Sequence, residues 1–198
     1  ALGKTALQAN TTADYNTAVG SSALYANTTG ADNTAVCRTA LYANTTASNN
    51  TAIGSNALGA NTTGTKCTAV GKGALDSSNA DDNTAVGYNA MTGNTTGIRN
   101  AALGQSALGS NTTGTRNTAI GAQSLDANTT ASYNTAVGYA ALTENTTGEY
   151  NTAIGQSALL LNTTGQYNTA MGSYALDANT TADENTAFGY NALSSNST

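Results

Sequence analysis

The chain has 198 residues, 11 acidic and 6 basic side chains, a net charge of −5, and no His, Pro or Trp. Lack of His removes the usual general base, zinc ligand and pH switch, and the acidic balance argues against a nucleic-acid groove. Only 9% of residues are charged and only one is Phe, against about 25% charged in ordinary domains, so a conventional core is not expected. Disordered chains are usually rich in Pro and charge, and this one lacks both.

Self-similarity dominates the sequence. Asn-Thr-Ala begins at Asn16, Asn33, Asn50, Asn83, Asn117, Asn134, Asn151, Asn168 and Asn185, with Cys67-Thr-Ala and Asn100-Ala-Ala filling the gaps. The period is 17 residues, apart from one 16-residue unit that starts at Cys67. The unit reads N-T-A-[VI]-G-x-x-A-L-x-x-N-T-T-[GA]-x-x, with ten complete copies and a partial copy at each end. Residues 1–198 therefore form a single array. Natural arrays end in atypical capping units; neither end looks like a cap, so a window from something longer is expected.

Taken in chain order, each unit has fixed and free positions. Position three is Ala in all twelve units, from Ala1 to Ala187. Position four is Val, Ile, Leu, Met171 or Phe188. Position five is Gly except Cys37, position eight Ala except Ser124, and position nine Leu except Met91. Charges fall at six (Lys4, Arg38, Lys72), ten (Asp76, Asp126, Asp177), eleven (Glu144), sixteen and seventeen. Positions six, seven, ten, eleven, sixteen and seventeen are thus expected to face solvent.

Seventeen residues are too few for a two-helix repeat, and Gly and Asn-Thr-Thr interrupt any helical stripe. A strand reading fits better. Thr-Ala-Val-Gly forms a strand with Thr and Val on one face and Ala on the other. Gly-x-x turns, Ala-Leu-x-x-Asn forms a second strand, and Thr-Thr-Gly-x-x returns. The fold class is all-β: a fibrous β-solenoid (parallel β-roll) of about twelve coils, rising about 4.8 Å each over roughly 55 Å. The Asn at position twelve forms an amide ladder. The core is thin, with one β-branched residue, one Leu and two Ala per coil. The Ala row is expected to pack against another chain, which favours association of two or three solenoids or a laterally paired fibre.

Position twelve also opens an N-x-[ST] sequon. It occurs at Asn10, Asn27, Asn44, Asn61, Asn94, Asn111, Asn128, Asn145, Asn162, Asn179 and, as N-S-T, Asn196. Sequons belong on exposed turns of exported proteins. A glycan row is expected there or on the adjacent Thr11, Thr28, Thr45, Thr62, Thr95, Thr112, Thr129, Thr146, Thr163 and Thr180. The competing reading is a structural turn. Thr rows at positions two, thirteen and fourteen also resemble the flat arrays of ice-binding solenoids.

Cys37 and Cys67 sit two coils apart, about 10 Å along the axis, beyond the reach of a disulfide. Tyr133, Tyr150 and Tyr167 share position seventeen and are expected to stack. No enzyme motif, metal site or cofactor site survives, so no enzyme is expected. Apart from covalent glycans, no cofactor is expected either. No apolar run approaches the 18 residues of a membrane span; the most apolar stretch is Ala158-Leu159-Leu160-Leu161. The N-terminus shows no leader segment.

Units such as Asn134-Thr-Ala-Val-Gly-Tyr-Ala-Ala-Leu and Asn151-Thr-Ala-Ile-Gly-Gln-Ser-Ala-Leu resemble the S-V-A-I-G-x-x-A repeats of trimeric autotransporter adhesin heads. The pattern is also similar to tail-fibre-like repeats of bacteria and their phages. The resemblance covers the whole chain, although adhesin repeats are shorter and lack the regular N-T-T. It implies a left-handed parallel β-roll, usually trimeric, at a cell or virion surface. The expected function is a glycosylated extracellular fibre segment, a filament or adhesin shaft that self-associates. Alternatives are an adhesin or tail fibre binding surface glycans, and an ice-binding solenoid. No nucleic-acid partner is expected.

Overall fold

A computed structural model of the chain describes residues 1–196. The architecture is a parallel β-solenoid with one coil per sequence unit. Eleven three-residue strands stack in sequence order as one parallel sheet. They are β1 Thr17–Val19, β2 Thr34–Val36, β3 Thr51–Ile53, β4 Thr68–Val70, β5 Thr84–Val86 and β6 Ala101–Leu103, followed by β7 Thr118–Ile120, β8 Thr135–Val137, β9 Thr152–Ile154, β10 Thr169–Met171 and β11 Thr186–Phe188. Equivalent positions pair throughout, as in Ala18 opposite Ala35. The 16-residue unit keeps this register, with Thr68 opposite Thr84. Its missing residue is therefore absorbed away from the sheet.

The strand alternates as expected from its period of two. The middle Ala is buried in every strand, and the flanking residues are exposed or half-exposed. Three expectations change here. The Ala row of the strands does not face another chain; these alanines lie inside their own coil, from 0% exposed at Ala18 and Ala35 to 4% at Ala187. The fourth-position residue leaves the core and points outward. The core is instead the third-position Ala, the eighth-position Ala and the ninth-position Leu, as in Ala18, Ala23 and Leu24. Stacked along the axis, these make one continuous column.

The second strand, over Ala-Leu-x-x-Asn, is also replaced. That segment is a run of turns. Positions seven and nine take left-handed φ in every coil, as at Ser22 (57°) and Leu24 (51°), and position seventeen does so at Asp32 (58°). Left-handed φ costs an L-residue roughly 1–2 kcal/mol. Hydrogen bonds to the neighbouring coils offset the cost. The Ser22 N–H donates to Lys4 O of the preceding coil at 2.9 Å, and the Leu24 N–H to Ala40 O of the next at 3.0 Å. The non-strand half of each coil is therefore knitted to its neighbours like the strand half, with the peptide groups turned by left-handed residues. Leu carries no sequence signal for this conformation, which is why a strand looked adequate.

Glycine at position five has a plain cause. Gly20 has φ of 134°, and a Cβ there would lie 2.6 Å from the Cys37 backbone in the next coil. Tyr rings at equivalent positions in successive coils lie nearly parallel, with interplanar angles of 10°, 6° and 5°.

Cys37 is the one side chain placed at position five, with φ of 96°. Cys37→Gly is expected to raise unfolding stability by about 1–2 kcal/mol, read as a higher urea midpoint at unchanged slope.

Candidate functional site

The sequence directs attention to the N-T-T corner. Its Asn side chains are internal. Asn27, Asn44, Asn61, Asn94, Asn111, Asn128, Asn145, Asn162 and Asn179 are all 0% exposed. Each amide nitrogen uses both hydrogens. Asn44 Nδ2 donates to Asn27 Oδ1 at 2.8 Å and to Ala47 O at 3.0 Å; Asn111 does the same with Asn94 and Gly114. The expected ladder at position twelve is present. A sugar on this nitrogen would displace one of these bonds. Only Asn10 in the first coil is exposed, and Asn196 is half-exposed; the rest of the Asn196 sequon lies outside the described residues.

A second ladder runs at position one, which sequence reasoning missed. The Asn33 N–H donates to Asn16 Oδ1 at 2.9 Å, and Asn33 Nδ2 donates to Ala47 O at 2.9 Å. The same pair of bonds recurs at Asn50, Asn117, Asn134 and Asn151. The two ladders meet at the carbonyl of position fifteen. Gly30 O, for example, accepts from Asn16 at 2.8 Å and Asn27 at 2.9 Å. The regular Asn at the head of every N-T-A was the available signal.

The hydroxyls divide into two rows. The candidate Thr at position thirteen is mostly half-buried, and its Oγ1 commonly donates to the same residue's carbonyl in the next coil. Thr28 to Thr45 O (3.0 Å) and Thr112 to Thr129 O (2.9 Å) are examples. The following Thr at position fourteen is exposed in each coil that has one, from Thr12 and Thr29 to Thr164 and Thr181. Thr at position two lies on the outward face of the sheet rather than in a turn.

The short coil repairs its own deletions. Cys67 Sγ donates to Ala80 O at 3.1 Å in place of an asparagine amide. Ser78 Oγ stands in for the ladder oxygen and accepts from Asn94 Nδ2 at 3.2 Å. Asn79 Oδ1 accepts from Thr62 N–H at 2.7 Å. Both cysteines are free; Cys37 is exposed and Cys67 buried.

Tyr133, Tyr150 and Tyr167 stack as expected, with centroids 4.8 and 5.1 Å apart. The Arg116 guanidinium lies 5.2 Å from the Tyr133 centroid and caps the column. These rings cover one another's faces, which leaves mainly edges for a sugar. One open depression of about 520 Å³ forms where Gly59 and Ala60 lack bulk, between Arg38 and Asp76. Burial raises the Asp76 carboxyl above its usual range, opposed by the Gly59 N–H. Among the described residues there is no group of three His, Cys, Asp or Glu able to hold a metal, and no helix is long and apolar enough to cross a membrane.

Comparison with protein-family models, curated proteins and solved structures finds no match. The functional reading therefore rests on the surfaces just described.

Burial pushes the Cys67 thiol up to about 11; the Asn83 N–H opposes this, and Asp81 and Asp82 add to it. At pH 8 only about one in a thousand Cys67 thiols is then ionised. A thiol reagent at pH 8 is expected to label Cys37 rapidly and Cys67 only on unfolding, as read by peptide mass mapping. The folded thiol titrates above the unfolded one, whose reference is 9.0. Its contribution to stability is thus intact below about pH 9 and falls as the pH rises toward 11.

Proposed function

We propose that the chain is a structural segment of an extracellular fibre: a stiff shaft that self-associates and carries its decoration on repeated surface rows. The observation that supports this most is the unbroken coil-per-unit stack. Apart from the substituted ladder positions of the short coil, each coil offers both neighbours the same strand, ladders and core column, so the unit encodes length rather than a cleft. Low charge and the likeness to adhesin-head and tail-fibre repeats support a location at a cell or virion surface.

The N-T-T rows supply the decoration. The Asn amides are engaged inside the coil, so glycans would be carried by the Thr hydroxyls at the corner. The position-fourteen row is the more accessible, and the position-thirteen row already donates its hydroxyls. A coat along that edge would hydrate and protect a rod that has few charges of its own.

Cryo-electron microscopy of the assembled material is expected to show an axial rise of about 4.8 Å per unit. A rise several times larger would overturn the rod. Glycopeptide mapping of protein from its native source is expected to find sugar on Thr and unmodified Asn at the internal ladder. Bare Thr at every corner would remove the glycan coat and leave the shaft.

A further inference from the structure

Position ten changes character along the solenoid. In four successive coils it holds Tyr25, Tyr42, Gly59 and Asp76. The Tyr25 and Tyr42 rings stack with centroids 5.2 Å apart and an interplanar angle of 10°. One face of Tyr42 is thereby covered. The other looks onto the coil of Gly59, which has no side chain to continue the column, and the Tyr42 side chain stays 42% exposed. The missing layer is about 5 Å thick, one coil spacing. It opens the depression of about 520 Å³ that Arg38, Thr39, Tyr42, Asn56, Gly59 and Asp76 line. That volume falls in the range of small-molecule sites, roughly 300–1,000 Å³.

The wall opposite Tyr42 is a carboxylate. Asp76 folds back over Gly59: a Cβ on that glycine would lie 2.5 Å from Asp76 Oδ1, and the carboxylate accepts from the Gly59 N–H. Asp76 is half-buried and Arg38 is exposed. Among the described residues the one ion pair joins Arg99 and Asp82, so neither Arg38 nor Asp76 has a counter-charge. Asn56 stands at the same rim, its Oδ1 engaged by the Thr39 hydroxyl, which leaves its Nδ2 as a donor.

We propose that this notch binds a neutral hexopyranose, stacked by its C–H face on Tyr42 and hydrogen-bonded through its hydroxyls to Asp76, Arg38 and Asn56. The site adds to the shaft reading and does not rest on it, since a shaft with an empty notch is still a shaft. Two features select the chemistry. The walls are unlike, a ring on one side and a carboxylate on the other. A pyranose is unlike in the same way, with C–H bonds grouped on one face and hydroxyls around its rim, whereas a nucleobase gains most between two apolar faces. The charges also select. A singly charged ligand is drawn by one of Arg38 and Asp76 and repelled by the other; a hydroxyl donates to the carboxylate and accepts from the guanidinium. The solenoid carries its own comparison. Gly109 is another position-ten glycine overlain by an aspartate, Asp126. The coil before it has Thr92 in place of Tyr42 and Tyr88 in place of Arg38, so no sugar site is expected there.

The test is a nuclear magnetic resonance titration of the isotope-labelled full chain with methyl β-galactopyranoside, methyl β-glucopyranoside and methyl α-mannopyranoside, each taken to tens of millimolar. At least one is expected to shift the Gly59 and Ala60 amides and the Tyr42 ring saturably, with a dissociation constant of about 1 mM, the scale of one small sugar. The Gly109 and Ser110 amides should not move. Gly59→Tyr refills the layer. The close contact it makes is with the end of the flexible Asp76 side chain, so it should keep the circular dichroism of the fold and weaken binding at least tenfold. Tyr42→Ala removes the stacking face and is expected to weaken binding to the same degree; it carries the comparison if Gly59→Tyr does not fold. Gly109→Tyr, the matched change in the other gap, should leave binding unchanged. Three sugars without a saturable shift, a folded Gly59→Tyr or Tyr42→Ala that binds like wild type, or adenosine saturating these resonances where no sugar does would overturn the proposal.

Discussion

A buried asparagine amide at position twelve keeps both its hydrogen bonds only when the neighbouring coil is in phase. That condition organises the rest of the molecule. The carbonyl at position fifteen sits at the junction. Gly30 O takes one bond from Asn27, 3 residues earlier, and one from Asn16 at the head of the same unit, 14 residues earlier. An unpartnered buried amide costs roughly 1–3 kcal/mol per group. A slip of one residue would orphan several such groups in each coil at once. Register in a short parallel strand is otherwise weakly specified, because three residues offer few side-chain pairs. The asparagines supply what the strands lack.

The same condition explains how a thin core suffices. Ala at positions three and eight and Leu at nine form a single narrow column. The polar spine fills the rest of the cross-section with satisfied hydrogen bonds rather than bulk. The 16-residue coil shows how strict the condition is. One residue is missing, and the strand register is unchanged. Ser78, Asn79 and Cys67 each provide a substitute for a bond the deletion or substitution would otherwise lose. The deletion falls at the corner, where a side chain can replace a backbone carbonyl. Stacked backbone leaves only the outward rows free to vary, and surface function must therefore be written there.

Much of this was legible in the sequence because repetition converts single residues into rows. The period gave the coil, the absence of Pro agreed with continuous axial pairing, and Asn at position twelve gave a ladder. The strand's alternation placed Ala opposite Thr and Val correctly. Three features were not legible. Apolar character at position four suggested core, since residue type alone does not distinguish an inward Val from an outward one. Left-handed Leu24 and its equivalents are invisible because their conformation is set by the neighbouring coils, not by local preference. The sequon at Asn27 and its copies looks like a surface signal, yet the amide row that makes it periodic is the row the fold needs inside. The Thr beside it was correctly placed at the corner, and its exposure depends on which of the two threonines is considered.

The fold therefore separates two roles that one short motif seemed to combine. Asparagine amides hold the phase between coils, and hydroxyl and apolar rows remain for the outside. The most direct measurement is hydrogen exchange at the asparagine side-chain amides, resolved by nuclear magnetic resonance. The account predicts that Asn44, Asn111 and Asn128, and equally Asn33 and Asn134 of the second ladder, exchange only with global opening of the rod. Asn49 of the same coil as Asn33 and Asn44, and Asn56 of the next, both exposed, should exchange at the rate of a free amide. Free-amide exchange at Asn111 or Asn128 in the folded protein would contradict the internal ladder and the phase constraint with it.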